Sequence, residues 1–170
     1  ILIFLRATQQ TGPAKCHMLD HLKEHLKGNV VILGIGNTLR NDDGAGSLLA
    51  ARLKDKVPYT VYDAGEGPEN YLGKIVRDEP DNIIIIDAVD FDAEPGEFRV
   101  IEAEDIKTAN LFSTHNASIS LTINYLQNNL KADIIILIIQ PKNIGFGENL
   151  SPEVVGTLNK LENLFYEKKG

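Results

Sequence analysis

The sequence predicts an α/β fold: a three-layer single domain in which helices cover both faces of a mostly parallel, twisted sheet of about five strands. Segments rich in β-branched residues alternate with segments of helical periodicity. Residues 83–86 and 134–139 are apolar at every position, which is typical of central parallel strands that are buried on both faces. The 170 residues suit one domain, and neither run approaches the roughly 20 apolar residues that span a membrane as a helix.

Five strands are predicted from their content of Val, Ile and aromatic residues. Residues 82–86 and 133–139 are the most continuously apolar, so they are expected at the centre of the sheet. Residues 97–101 follow a Glu-Pro-Gly turn and alternate between apolar and polar, which favours an edge strand that can run antiparallel to the others. In chain order the predicted strands are residues 30–33, 60–62, 82–86, 97–101 and 133–139.

Helices are predicted between these strands, with glycine and proline at their ends. The first ends at Gly28, the second carries Leu48 and Leu53 and stops before Pro58, and Pro80 closes the third. In chain order the predicted helices are residues 19–26, the segment before Pro58, and residues 69–77, 116–130 and 152–168. Residues 1–28 are interpreted as an N-terminal extension with the first helix, partly non-native, with Met18 as an alternative start.

The composition disfavours several classes of function. A net charge of −7 argues against nucleic acid and anionic membranes as partners, since both select a basic surface. A cation or a basic peptide suits the charge better. Cys16 is the only cysteine, so no internal disulfide can form and a reducing compartment, the cytoplasm, is expected.

The stretch GIGNTLRNDDGAG, residues 34–46, combines glycines that suit a phosphate with acids that suit a cation. A dinucleotide fingerprint needs G-x-G-x-x-G, but Leu39 occupies the third glycine position, and the Gly-Lys-Ser/Thr of a P-loop is absent. Ligands of open α/β sheets bind beyond the carboxyl ends of the strands. The residues predicted there are mostly acidic: Asn37, Asp42, Asp43, Asp63, Asp87, Asp90 and Gln140. A cation is therefore favoured over a phosphate.

Carboxylates from two strand ends can converge on one metal ion. Two aspartates alone suit Mg²⁺ or Ca²⁺, whereas an added imidazole from His115 suits Ni²⁺ or Zn²⁺. Other interpretations stay open: Asp42 or Asp43 can cap the helix that begins near Gly44, and His115 can be a hydrogen-bonded loop residue. For Asp87 a functional role is the favoured interpretation, because a carboxylate at a buried strand end costs free energy unless it is paired or metal-bound.

Three further histidines lie within or just before the first predicted helix. His17, His21 and His25 recur every four residues beside Cys16, and this spacing places them on one face of a helix. Such a row can bind a transition metal. Solvent exposure or adventitious binding is the favoured interpretation, because the segment is expected to be exposed. No Ser-His-Asp arrangement or second cysteine offers a nucleophile.

Five motifs together resemble the hydrogenase maturation endopeptidases, in particular the type that processes the large subunit of hydrogenase 3. They occur in the family's order between about residues 30 and 164: GIGNTLRNDDGAG, DAGEGPEN, IIIIDAVDFDAEPGEFRVI, STHNASI and IIQPKNIGFG. The resemblance implies a phosphorylase/hydrolase-like protease domain over residues 29–170. It also implies an aspartic-type or metal-assisted endopeptidase that removes a short C-terminal peptide from the [NiFe]-hydrogenase large-subunit precursor after nickel insertion.

The family's nickel-recognition residues fall on Asp43, Asp87 and His115, and the resemblance implies that these three are both the catalytic and the metal-contacting residues. The first position is Glu in some relatives, so Asp43 has a shorter reach. Asp42 matches the adjacent family acid and is assigned a supporting or capping role. The nickel is expected to belong to the precursor, so no tightly bound cofactor is expected in the isolated protein.

The implied partner is the large-subunit precursor, with no nucleic acid and no membrane insertion. Crevice geometry adds Gly65, Asn70 and residues 140–147 as expected peptide contacts. Three alternatives remain at this point: a nucleotide-binding module, a metal-dependent hydrolase of small molecules, and a nickel-sensing chaperone that does not cut.

Overall fold

A computed structural model describes residues 13–107 and 116–167 of the chain. In these residues helices and strands follow one another in the predicted order. In chain order the elements are α1 (Pro13–Glu24), β1 (Val30–Ile35), α2 (Ala45–Leu53), β2 (Thr60–Gly65), α3 (Leu72–Asp78), β3 (Asn82–Ala88), β4 (Phe98–Glu102), α4 (Asn116–Asn129), β5 (Asp133–Ile139) and α5 (Pro152–Glu167). None of the helices described combines the length and apolar character that crossing a bilayer requires.

The strands form one sheet with the order β2-β1-β3-β5-β4. β1 pairs in parallel with β2 and β3, and β3 pairs in parallel with β5. β4 pairs antiparallel with β5 at one edge. The mostly parallel sheet, its central strands and its alternating edge strand are therefore confirmed, and the direction of that edge strand is antiparallel.

Helices cover both faces of the sheet, which confirms the three-layer prediction. On one face Ile32, Ile84 and Leu137 pack in a core with side chains of α1, α2 and α5. On the other face, alternate residues of the same strands pack with α3 and α4 in a second core. The first helix takes part in this packing, because Leu22 is fully buried.

Several elements differ in extent from their predicted bounds. The first helix begins and ends earlier than predicted, since α1 spans Pro13–Glu24 in place of residues 19–26, and β1 and β3 each continue two residues further. β2 continues to Gly65, because its pairing with β1 extends to the Ile35–Gly65 pair. Asp63, predicted to lie beyond this strand, is therefore part of it. The helix predicted at residues 69–77 begins as a 3-10 turn, Pro68–Tyr71, which leads into α3.

Glycine lets α2 begin directly above the ends of two central strands. A Cβ on Gly46 would overlap the backbone carbonyl oxygens of Ile35 and Ile86. Gly34 has the same role from the strand side, since a Cβ there would overlap the Gly46 carbonyl oxygen and the Ala50 side chain. These glycines therefore serve close backbone packing, and the helix start lies at the carboxyl edge of the sheet.

Candidate active site

The chain after β1 forms a 3-10 turn, Asn41–Gly44, that holds two buried acids side by side in sequence. Asp42 is 0% exposed and Asp43 is 2% exposed. The turn packs against β3 and leads into α2, whose N-cap is Gly44. The acidic pair therefore lies inside the protein at the carboxyl edge of the sheet, where ligands of α/β folds bind.

Asp42 uses both carboxylate oxygens to hold a distant segment, residues 141–151, which we call the 141–151 loop. Its Oδ2 accepts hydrogen bonds from the backbone N–H of Lys142 at 2.9 Å and of Asn143 at 3.0 Å. The backbone N–H and the hydroxyl of Ser151 donate at 2.7 and 2.8 Å. Asp42 therefore fastens this loop and makes no side-chain cap bond to α2, in agreement with the supporting role that the resemblance implies for it.

Backbone bonds strengthen this connection between the turn and the 141–151 loop. The N–H of Asn41 donates to the carbonyl of Gly147 at 2.7 Å, and the N–H of Gly147 donates to the carbonyl of Leu39 at 2.9 Å. The side-chain amide of Asn41 also donates to the Gly145 carbonyl at 3.0 Å. Two segments about 100 residues apart in sequence are therefore hydrogen-bonded to each other.

An ion pair ties the same loop to α5. The Lys142 ammonium donates a hydrogen bond to Glu153 at 2.6 Å. This bond and the charge of Glu153 raise the pKa of Lys142, and the Asp42 carboxylate adds to the effect. The bond from Lys142 in turn lowers the pKa of Glu153. Lys142 therefore remains a cation at neutral pH and does not serve as a base.

Asp87 lies one residue before the end of β3 and is 0% exposed. It pairs in register with Ile138, which belongs to the core under α3 and α4. Oδ1 of Asp87 and Oδ2 of Asp43 are both shielded from solvent, and each residue has further contacts within the protein. The turn that carries Asp43 packs on the strand that carries Asp87. His115, the third predicted site residue, lies outside the described residues.

Two other residues predicted at the crevice instead hold the chain after β3. The side-chain oxygen of Gln140 accepts hydrogen bonds from the backbone N–H of Phe91 at 2.9 Å and of Ala93 at 3.2 Å. Its amide nitrogen donates to Asp90 at 3.1 Å. Gln140 and Asp90 therefore shape the loop, because these contacts engage both polar ends of the Gln140 side chain.

A groove of about 480 Å³ opens beside the ends of β1 and β2. Asp63 lies in it and accepts hydrogen bonds from the Ser47 hydroxyl at 2.6 Å and from the Gly65 N–H at 3.1 Å. Sequence reasoning did not select Ser47 or Glu66. Ser47 could have been found from its position one helical turn after Asp43. The lining residues are Gly36, Asn37, Thr38, Leu39, Ser47, Asp63, Ala64, Gly65 and Glu66.

Comparison with known proteins places the chain in a family. A sequence model named HycI and described as hydrogenase maturation protease matches residues 45–168, which include Asp87 and begin just after Asp43. The hydrogenase 3 maturation protease of Escherichia coli K12 is 40% identical over 121 residues, which cover 68% of this chain and 75% of that protein. The chain belongs to the hydrogenase maturation protease family.

Solved structures of similar proteins agree with the fold of this maturation protease. The solution structure of the endopeptidase HycI from Escherichia coli has a TM-score of 0.73 and 31% identity, over 84% of this chain and 92% of that one. The crystal structure of a [NiFe] hydrogenase maturation protease HycI from Thermococcus kodakarensis KOD1 has a TM-score of 0.73 and 33% identity, over 86% and 97%. The predicted family, fold and protease activity are therefore confirmed.

Proposed function

We propose that this protease removes a short C-terminal peptide from the precursor of a [NiFe]-hydrogenase large subunit, and that Asp43, Asp87 and His115 contact nickel carried by the precursor. The observation that carries the proposal is the burial of Asp43 and Asp87 on two packed elements at the carboxyl edge of the sheet. Two carboxylates at this edge are oxygen donors that favour a cation over an anion as the ligand. The related proteins from Escherichia coli and Thermococcus kodakarensis are named for hydrogenase 3 and for [NiFe] hydrogenase.

The order of the elements supports the third contact. His115 comes directly before Asn116, the first residue of α4. α4 packs on the face of the sheet to which Asp87 belongs by register. Two carboxylates and one imidazole form a mixed oxygen and nitrogen set that suits nickel, and the remaining positions on the ion stay with its ligands in the precursor.

In the proposed reaction water adds to the scissile carbonyl and the amine of the released peptide departs. Nickel in the precursor supplies positive charge that polarises the carbonyl or the water. Asp43 takes the proton from the attacking water and returns it to the leaving amine, a role that requires hydrogen-bond reach to that water. Asp87 orients the metal from the strand end.

The groove beside the ends of β1 and β2 is proposed to hold a precursor side chain next to the scissile bond. Asp63 and Glu66 line it and give it acidic character. A basic side chain therefore fits the groove best, in agreement with the net charge of −7 on the chain.

Nickel recognition is tested by presenting nickel-loaded and nickel-free precursor to the protein side by side. We expect the mass of the loaded precursor to fall by that of the C-terminal peptide, while the mass of the nickel-free precursor stays constant. Equal cleavage of both forms would contradict nickel recognition. Binding of the loaded form without any change in mass would favour a nickel-sensing chaperone instead.

A surface for the body of the precursor lies beside the groove. Leu39, Ile144 and Phe146 are 49%, 37% and 92% exposed, and we call them the apolar ridge. They lie on hydrogen-bonded segments, because Arg40 donates its Nε–H to the Ile144 carbonyl at 3.1 Å. Since Leu39 also lines the groove, a precursor bound there continues over the ridge.

Phe146→Ala is expected to raise KM for the loaded precursor about tenfold with little change in kcat, since burying a Phe contributes about 1.5–3 kcal/mol and Phe146 is not one of the proposed reacting groups. The initial rate of peptide release at several precursor concentrations measures both constants. Leu121→Ala is the matched control, because Leu121 is 70% exposed on α4. An unchanged KM for Phe146→Ala would remove the ridge from the docking surface.

A further inference from the structure

The structure places an acid beside two of the three N-terminal histidines. His21 lies in α1, His25 follows just after its end, and Glu102 is the last residue of β4. Nε2 of His21 lies 2.7 Å from Oε1 of Glu102, and all three side chains are half-buried. One possible ligand atom from each residue lies within 4.8 Å of the other two. Two distant parts of the chain therefore bring three metal-binding groups together.

The backbone already orients one of these ligands. Nδ1 of His25 donates a hydrogen bond to the carbonyl oxygen of His21 at 3.0 Å. This bond fixes the tautomer, so that Nε2 of neutral His25 carries the lone pair that a metal binds. The two imidazole rings are 5.0 Å apart between centroids and are arranged edge to face. Hydrogen bonding of a ring nitrogen to a backbone carbonyl is the usual support for a histidine ligand.

The cluster is separate from the proposed active site. Glu102 pairs with Ile135 of β5, whereas Asp87 pairs with Ile138, about 10 Å further along at 3.3 Å per residue. Ile135 belongs to the core beside α1, α2 and α5, and Ile138 belongs to the core on the opposite face of the sheet. An ion held by the cluster would therefore not be one that Asp87 contacts.

We propose that His21, His25 and Glu102 form a binding site for a divalent transition-metal ion such as Zn²⁺, which fastens α1 to the edge strand β4. Two imidazoles and one carboxylate are a known zinc ligand set, with water in the fourth position. Tetrahedral coordination at bond lengths of about 2.0–2.1 Å separates ligand atoms by about 3.3 Å. To bind an ion, the 2.7 Å distance between His21 Nε2 and Glu102 Oε1 must increase slightly, and any longer distances between ligand atoms of the three residues must decrease. Side-chain rotation can achieve both changes.

Titration of the full-length protein with Co²⁺, followed by visible absorption, tests the site. We expect one equivalent to give the spectrum of a tetrahedral nitrogen and oxygen site. Glu102→Gln is expected to weaken Co²⁺ binding at least about tenfold, since loss of supporting groups around metal ligands alone costs about 10–100-fold. His17→Gln is the matched control: His17 is an exposed histidine of the same helix outside the cluster, and its removal is expected to leave the affinity unchanged.

Thermal unfolding with and without Zn²⁺ gives an independent measurement. A metal that binds only the folded protein raises Tm, so Zn²⁺ is expected to raise Tm of the unaltered protein and not of Glu102→Gln. Unchanged Co²⁺ affinity in Glu102→Gln would overturn the proposal. Equal weakening by His17→Gln and Glu102→Gln would also overturn it, since that result describes adventitious binding along the histidine row.

Discussion

Asp43→Asn is expected to slow peptide release from the nickel-loaded precursor by about 100- to 10,000-fold, the range that general acid–base catalysis contributes. Asn has nearly the same shape as Asp, so the buried turn is preserved, but the amide cannot take a proton from water and binds a cation more weakly. The time course of product mass measures the loss. Circular dichroism establishes that the variant is folded.

Asp92→Asn is the matched control for this experiment. It removes the same charge from an exposed residue after β3. Its backbone φ of 59° is one that Asn adopts readily. We expect cleavage by Asp92→Asn at the rate of the unaltered protein. Asp43→Glu restores the charge with a longer reach and is expected to recover part of the activity. Cleavage by Asp43→Asn at the unaltered rate would exclude Asp43 as the base.

Asp42→Ala is expected to lower the free energy of unfolding by about 4 kcal/mol, although it replaces none of the proposed catalytic residues. Its carboxylate accepts four hydrogen bonds from the 141–151 loop, and each buried donor left without a partner costs about 1–3 kcal/mol. The four costs do not add fully, because a released loop recovers bonds with water. Urea unfolding followed by circular dichroism gives the value.

Two comparisons separate this network from a general effect of charge. Asp42→Asn keeps one carbonyl acceptor and is expected to lose less stability than Asp42→Ala. Lys142 of the same loop has an exposed ion-pair partner, Glu153 of α5. Glu153→Ala removes this partner and is expected to change the free energy of unfolding little, since exposed ion pairs contribute little to stability. Equal losses in Asp42→Ala and Glu153→Ala would show that the four hydrogen bonds are not the source of the stability.

The sheet could be predicted because its strands differ in local pattern. β5 has the predicted bounds, since six apolar residues follow Asp133 and a buried parallel strand needs no alternation. β4 alternates, and the structure places it at an edge. The carboxyl ends of the parallel strands then follow from the topology, which places Asp43 and Asp87 among the polar residues predicted there. Their assignment as metal contacts follows only from the family resemblance.

Other features depend on contacts that no local pattern records. Asp42 and Asp43 are neighbours of the same residue type, and no local pattern shows that the 141–151 loop, about 100 residues away, donates hydrogen bonds to Asp42. Glu102 is likewise 77 or more residues from His25 and His21, so the histidine row alone indicated only adventitious binding. The role of His115 stays a prediction, since it lies outside the described residues.

The bonds between the Asn41–Gly44 turn and the 141–151 loop have a consequence for conformational entropy. The segment that carries Asp43 and the segment that carries Phe146 are already ordered against each other before any precursor arrives. Binding does not then have to immobilise them, which would otherwise cost about 0.5–1.5 kcal/mol for each flexible side chain. The turn and the 141–151 loop are therefore preorganised for binding. More of the free energy of association then depends on how well the shape of a precursor matches theirs.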